Sequence, residues 1–310
     1  MTTAHGPGWH GVDWQDLALV RSRLDAGADP EQGVFSFERP LHMAAEDGSP
    51  EVVAELARRV GDVDAEHEGR TALWTAVFHD RPDNARALVA AGADPLRPMM
   101  NGWSPARLAL ITRTPDLFGP TGLSLTPAET AAIAEARWLL DTLEPQLDDG
   151  ASIACVGGIT AAEAVRRLGL EPADIDLEEV WEDPWAEEYE YLVRLSDVPG
   201  GCVVVQPWGY HASDPDVIER LSAGTVCYAM FANPKSGDQG AVARDGSVVA
   251  WDTHPGGGHV EPESSAEEIL ATYLYQGAPV PYCYAGAGLR PADADSLTAE
   301  TAEWYAFPED

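Results

Sequence analysis

Along residues 16–114 the apolar positions recur with the spacing of one helix face, and the stripe itself repeats. Three aspartates, Asp29, Asp62 and Asp94, stand 33 and 32 residues apart. Five, six and nine residues before them come Leu24, Arg23 and Val20, then Ala57, Leu56 and Val53, then Val89, Leu88 and Ala85. All but Arg23 are apolar, and positions so spaced share one side of an α-helix. A second short segment recurs beside these helices: RPLHMAAED from Arg39, RTALWTAVF from Arg70 and WSPARLAL from Trp103. In it Pro40, Ala72 and Pro105 align at spacings of 32 and 33. A period of this length predicts pairs of short helices, each unit stacking on the next because none can bury its apolar face alone.

The residues PLHMAA at 40–45, with GADP at 27–30 and again at 92–95, resemble the ankyrin repeat. The resemblance covers about residues 9–115. The first unit has lost most of its first helix, and the fourth runs from WSPARLAL into TPDLFGPTGLSLTP, which reads as a loop. The following segment, 126–143, is expected to form a capped helix, with Thr126 at the cap, Pro127 at the first position and Glu129 completing a capping box. It reads as the displaced second helix of the last unit. Small residues, Ala44, Ala45, Ala76 and Ala109, would let the inner helices approach, and Leu41 and Leu73 would fill the space between repeats. Gly27 and Gly92 stand where the outer helices must end on a left-handed residue. By the resemblance, His42 hydrogen-bonds between repeat turns, and Trp74 interrupts that network in the next unit.

The resemblance also implies protein binding through the turn tips and the exposed positions of the inner helices. Carried over position by position, these are Phe35, Ser36, Glu38, Glu46 and Asp47 in the second unit; His67, Glu68, Arg70, Phe78 and His79 in the third; and Met100, Asn101, Trp103, Ile111 and Thr112 in the last. Aromatic residues there mark a surface that something covers, either a partner or the chain's own second half.

Beyond EPQLDDG at 144–150 the period disappears. SIACVGG reads as a strand, followed by a helix capped by Thr160 with Glu163 in a capping box. GGCVVVQPWGY, TVCYAMFAN and SVVAWDTH read as strands, and the ARDG turn at 243–246 pairs GAVA with SVVAWD in a hairpin. DPDVIERLSAG and SAEEILATYLYQ read as helices. The expected fold class is therefore α+β and multidomain: an α-helical repeat solenoid over 1–149, with about three to four repeats and degenerate ends, then a mixed α+β domain over 150–310 with a mainly antiparallel sheet. Over about 152–275, the order VGGITAAEAVRRLG, VVVQPWGYHASDPDVIERLSAGT, FANP and DGSVVAWDTH resembles an uncharacterised domain of actinobacterial proteins. That resemblance implies a shared fold and no particular activity.

Composition narrows the function. Nineteen basic side chains stand against 52 acidic ones, a formal net charge of −33. Nucleic-acid backbones and anionic lipid both need a basic face, so neither is an expected partner. No apolar run has the length of a membrane helix. The N-terminus, MTTAHGPGWHG, lacks the basic and apolar regions of a secretory signal, so the expected location is the cytoplasm. Cys155, Cys202, Cys227 and Cys283 form no CxxC pair and read as core residues of a reduced protein.

Candidate chemistry is sparse. Ten carboxylates fall within residues 171–190, interleaved with Trp181, Trp185 and Tyr189 at a spacing of four, a solvated acidic segment or a surface for a basic partner. His254 and His259 flank a PGGG loop with Asp252 and Glu261 nearby, the right ligand types for zinc on a poorly preorganised loop. No metal, cofactor or catalytic group is expected. The leading expectation is a protein that binds another protein by steric and electrostatic capture. The alternatives are an immunity-type inhibitor of a basic toxin, and a tailoring or hydrolytic enzyme with its site in the 200–260 region.

Overall fold

Each closing aspartate does the same local job. Asp29, Asp62 and Asp94 accept, through Oδ1, the backbone N–H two residues on, from Glu31 at 2.8 Å, Asp64 at 2.9 Å and Leu96 at 2.8 Å. Such side-chain turns leave the backbone little choice after a helix, which is why the aspartate recurs with the period. The structure, a computed structural model, describes residues 8–33, 39–143, 147–175, 189, 191–251, 253–257, 260, 263–298 and 303–308. It divides into two compact units, Met1–Thr130 with Val260–Ile269 and Ala131–His259 with Leu270–Asp310.

In the first unit the periodic segments are helices α1 (Leu17–Asp25), α2 (Pro40–Asp47), α3 (Pro50–Ala57), α4 (Ala72–Phe78), α5 (Pro82–Ala90) and α6 (Pro105–Ala109). Side chains start most of them: Asp16, Ser49, Thr71 and Ser104 each accept a first-turn N–H, from Leu19, Val52, Trp74 and Arg107. Helices α2, α4 and α6 pack in one row, and α1, α3 and α5 in another. Leu41, Leu73, Ala44, Ala45, Ala76 and Ala109 are all buried between them, as the repeat pattern requires. Gly27 and Gly92 take φ of 94° and 106°, a region costly to any residue with a Cβ. Val89 departs from the stripe and is exposed at the margin of α5.

Polar ties join neighbouring repeats. Asn84 is buried and donates through Nδ2 to the carbonyls of Ala44, Ala45 and Gly48, at 3.2, 3.1 and 2.9 Å. Glu55, also buried, accepts from Arg21 of α1 at 3.0 Å, Arg58 at 2.6 Å and Arg59 at 3.2 Å. Burial would push its carboxyl up, but the Arg21 and Arg58 hydrogen bonds overcome this and hold it below the ordinary carboxylate range.

Helix α7 (Pro127–Thr142) begins with the capping box read from the sequence: Glu129 N–H donates to Thr126 Oγ1 at 3.2 Å, and Thr126 N–H to Glu129 Oε2 at 2.7 Å. Its role differs from the expected one. Ala136, Leu139 and Leu143 join the core beneath the sheet of the second unit, and only the first turn, up to Thr130, falls in the repeat unit.

The second unit carries an eight-stranded sheet: β1 (Ser152–Gly157), β2 (Glu171–Pro172), β3 (Leu192–Val198), β4 (Gly201–Gln206), β5 (Val226–Asn233), β6 (Gly237–Arg244), β7 (Ser247–Trp251) and β8 (Trp304–Ala306). The spatial order is β2-β8-β3-β4-β1-β5-β6-β7, and every neighbouring pair is antiparallel. Pleating sends alternate residues to opposite faces. Ile153 and Cys155 of the central strand, with Val203, Val205 and Met230, form one core under α7, α11 (Pro279–Ala287) and α12 (Asp295–Thr298). Ala154 and Val156, with Cys202, Val204, Cys227 and Ala229, form the other under α8 (Ala161–Leu168) and α9 (Pro215–Leu221). Two-sided cover explains why SIACVG reads as an unbroken apolar run and is buried throughout. α11 comes close to β5 because Gly286 has no side chain: a Cβ there would sit 2.5 Å from the Tyr228 ring. The β6–β7 hairpin turns at Asp245 and Gly246, with φ of 49° and 81°, as the ARDG sequence predicts. α10 (Ala266–Leu274) follows, its start capped by Ser265 and Glu268 in reciprocal bonds of 3.2 and 2.6 Å. The fold class is as read: helical repeats, then mixed α+β with an antiparallel sheet.

Candidate functional site

The repeat tips are built by one turn used twice. In HEGR at 67–70 and MNGW at 100–103, Glu68 and Asn101 take φ of 50° and 46°, each followed by a glycine at positive φ. His67 and Arg70 exchange backbone hydrogen bonds of 2.8 and 3.0 Å across the first. Met99 N–H donates to the Trp103 carbonyl at 2.6 Å across the second. His42 supports the first tip from the repeat below, its Nε2 3.0 Å from the Arg70 carbonyl. This is the bond between repeats that the sequence assigned to it.

The expected binding residues separate into two groups. Asp47, Glu68 and Asn101 are exposed, and Glu46, His67, Arg70 and His79 are half-buried. Glu46 and His79 form a pair across α2 and α4, Oε1 to Nδ1 3.4 Å, and Arg81 Nε holds the Glu46 carbonyl at 2.7 Å. Burial lowers the His79 pKa, against the pull of Glu46 and Asp47. Arg70 pairs with Glu68 at the tip. Phe78, Met100, Trp103, Ile111 and Thr112, by contrast, are buried. Of the two expected covers, a partner or the chain's own second half, the first is corrected for the Phe78 and Trp103 rings, which are already buried within the chain. Trp103 is fully enclosed because the Arg107 guanidinium lies over its ring, 4.6 Å from the centroid, and is fixed there by Glu129 at 2.6 Å. Phe35, Ser36 and Glu38 lie outside the described residues.

In the second unit, the acidic segment's Trp181 and Trp185 lie outside the described residues, as do His259, Asp252 and Glu261. His254 is exposed, with Nδ1 2.9 Å from the Asp238 carbonyl. Among the described residues no three or more His, Cys, Asp or Glu gather as a metal site.

A cavity of about 450 Å³ does open on this unit. The strand registers make its floor. Phe231 faces Gln239 across β5 and β6, and Ala241 faces Trp251 across β6 and β7. Gln239 and Ala241 are two apart, so all four share one side of the sheet. Tyr210, Ser213 and Asp214, from the segment leading into α9, complete the lining. Tyr210 and Trp251 are 52% and 61% exposed, and the Tyr210 and Phe231 rings stand 6.2 Å apart at 67°. Three polar lining atoms are engaged within the protein. Ser213 Oγ donates to the Tyr210 carbonyl at 2.7 Å, Asn233 Nδ2 to Gln239 Oε1 at 2.9 Å, and Asp216 N–H to Asp214 Oδ1 at 3.0 Å. Sequence reading missed this site because its residues come from four separate segments. The one available signal was an aromatic residue at the same face of successive strands.

The family model for ankyrin repeats (3 copies) matches residues 12–98. That segment is a stack of ankyrin repeats, a class of module that generally mediates protein–protein interaction. No curated protein matches the chain. Among the described residues no helix is long and apolar enough to cross a membrane.

Proposed function

We propose that this protein captures another protein through the tips and inner-helix ends of its ankyrin repeats, by shape and charge and without bond chemistry. The observation that supports this most directly is the ankyrin match over 12–98, joined to an open polar margin of Glu46, Asp47, Glu68, His79 and Asn101. The partner this margin suits is basic. The formal charge of −33 would steer such a partner from a distance, an effect that weakens as salt shortens the Debye length to roughly 10 Å at 0.1 M. A narrower version, an immunity-type inhibitor of a basic toxin, is favoured by the same charge. The cavity in the sheet unit gives an enzyme reading little support, because its serine, Ser213, donates its hydroxyl proton to the Tyr210 carbonyl.

The test is a charge reversal. Crosslinking in cells, with the wild type and with Glu46→Lys, Asp47→Lys and Glu68→Lys combined, identifies what the margin holds. A partner lost from the variant and slower to associate at higher salt is the expected result. A partner retained equally by both, with an on-rate indifferent to salt, would place recognition elsewhere.

A further inference from the structure

The sheet-unit cavity has a chemistry that the ankyrin reading does not use. We propose that it binds an organic cation of the methylated-ammonium class, with a trimethylammonium head between the faces of Tyr210, Phe231 and Trp251 and the Asp214 carboxylate as counter-charge.

Four observations converge on this class of ligand. Three aromatic rings from three segments border one cavity of about 450 Å³, and the sheet register fixes two of them. Cations within about 6 Å of a ring centroid are drawn to the electron-rich face, most strongly for Trp. Among the described residues Asp214 is the only charged one in the lining and no Lys, Arg or His lines the cavity, although His211 stacks on the Tyr210 ring with 4.7 Å between centroids. Ser213 Oγ, Gln239 Oε1 and Asp214 Oδ1 each already take part in a hydrogen bond inside the protein. A trimethylammonium group asks for no hydrogen bond, so it matches a site whose lining is dominated by aromatic rings. Finally, Tyr210 and Trp251 stay more than half exposed although they lie beside a well-packed core. Open aromatic surface on a rigid sheet is the usual mark of a binding site. The volume exceeds that of the head group alone, so the molecule carrying it has room as well.

The experiment titrates choline chloride and a trimethyllysine peptide into the full chain, followed by tryptophan fluorescence and by NMR of the ring protons. The neutral isostere 3,3-dimethylbutanol and the unmodified lysine peptide are the controls. The proposal expects saturable binding of the trimethylammonium probes, roughly tenfold weaker binding of the neutral isostere, and loss of roughly tenfold in Trp251→Ala. Asp214→Asn keeps a good helix cap and removes only the charge, so it should fold normally and bind several-fold more weakly. Tighter binding of choline identifies a free small molecule as the source, and tighter binding of the modified peptide identifies a protein side chain. The proposal is overturned if no trimethylammonium probe saturates at tens of millimolar, if the neutral isostere binds as well as choline, or if Trp251→Ala binds like the wild type.

Discussion

His42 reaches from one repeat to the next, its Nε2 3.0 Å from the carbonyl oxygen of Arg70, and burial holds its imidazole at a pKa of about 4. Arg70 O also accepts from the His67 N–H at 2.8 Å, and the rings of His42 and His67 meet edge to face at 5.8 Å. A carbonyl oxygen can only accept, so the neutral imidazole that bonds it carries its proton on Nε2. Protonation adds a second proton at Nδ1, which is buried and finds no partner.

The first prediction follows from that pKa. In the unfolded chain a histidine titrates near 6.5, so between pH 6.5 and 4 the unfolded state binds the extra proton and the folded state does not. Stability should therefore fall as pH drops through that window, by up to about 3 kcal/mol from this group. The hydrogen bond to the Arg70 carbonyl opposes burial, and the charges of His67, Arg39 and Arg70 act with burial. Urea unfolding of the wild type and of His42→Gln, compared at each pH, isolates the effect. A difference that stays constant from pH 7 to 4 would show that His42 does not titrate this way.

A second prediction tests the repeat register. Leu73 is fully buried in α4, between neighbouring repeats. Leu73→Ala removes its packing and leaves a cavity, a cost of roughly 2–5 kcal/mol. Loss in one unit weakens its neighbours in a stack. Far-UV circular dichroism should show the repeat helices melting earlier, and a variant that melts with the parent contradicts the register.

A third prediction concerns Asn84, which the apolar pattern passes over. Its amide is a donor to three carbonyls at once. Asn84→Ala leaves those acceptors without their partner inside the protein, at roughly 1–3 kcal/mol. Asn84→Asp puts a carboxylate against the same three oxygens and should be worse. The expected order of melting temperature is wild type, then Asn84→Ala, then Asn84→Asp. The reverse order for the two variants would mean that the amide is not the operative group.

These residues mark how far the sequence could be read. A period of 32 and 33 residues exposes everything that recurs: the aspartate turns, the small alanines, Leu41 and Leu73, and His42 by its place in the repeat. Apolar runs and the DG turn exposed β1, β4, β5 and the β6–β7 hairpin, while β2, β3 and β8 went unread. What could not be read depends on contacts between segments that have no fixed spacing. Asn84 looks like a surface residue until the carbonyls of another repeat are beside it. Phe78 and Trp103 sit at positions the repeat leaves outside its core, so pattern alone made them exposed. Arg107 and Glu129, 22 residues apart, then close over Trp103. The 126–143 helix was found with its capping box, but amphipathic spacing names a buried face without naming what buries it. The aromatic cavity needs the sheet register, which brings residues 210, 231 and 251 together.

The final prediction uses the cysteines to ask whether the sheet unit opens as one body. Cys155 and Cys283 sit in the core on one face of the sheet, and Cys202 and Cys227 in the core on the other. All four are free and buried. Burial pushes every thiol up, Cys202 to about 12 with Asp197 adding to the effect. The thiolate is the reactive form, so at pH 8 a native thiol is protected twice, by its proton and by its cover. Labelling must then wait for opening, and the free energy of that opening is read from its rate. β1 contributes to both cores, through Ile153 and Cys155 on one side and Ala154 and Val156 on the other, so neither face can open while the other stays packed. An aromatic disulfide reagent should find no fast-reacting thiol in the folded chain and four in denaturant. In the native chain all four should be modified in a single slow phase. A thiol that reacts within seconds would show that its core is open, and two well-separated phases would show that the two faces of the sheet unfold independently.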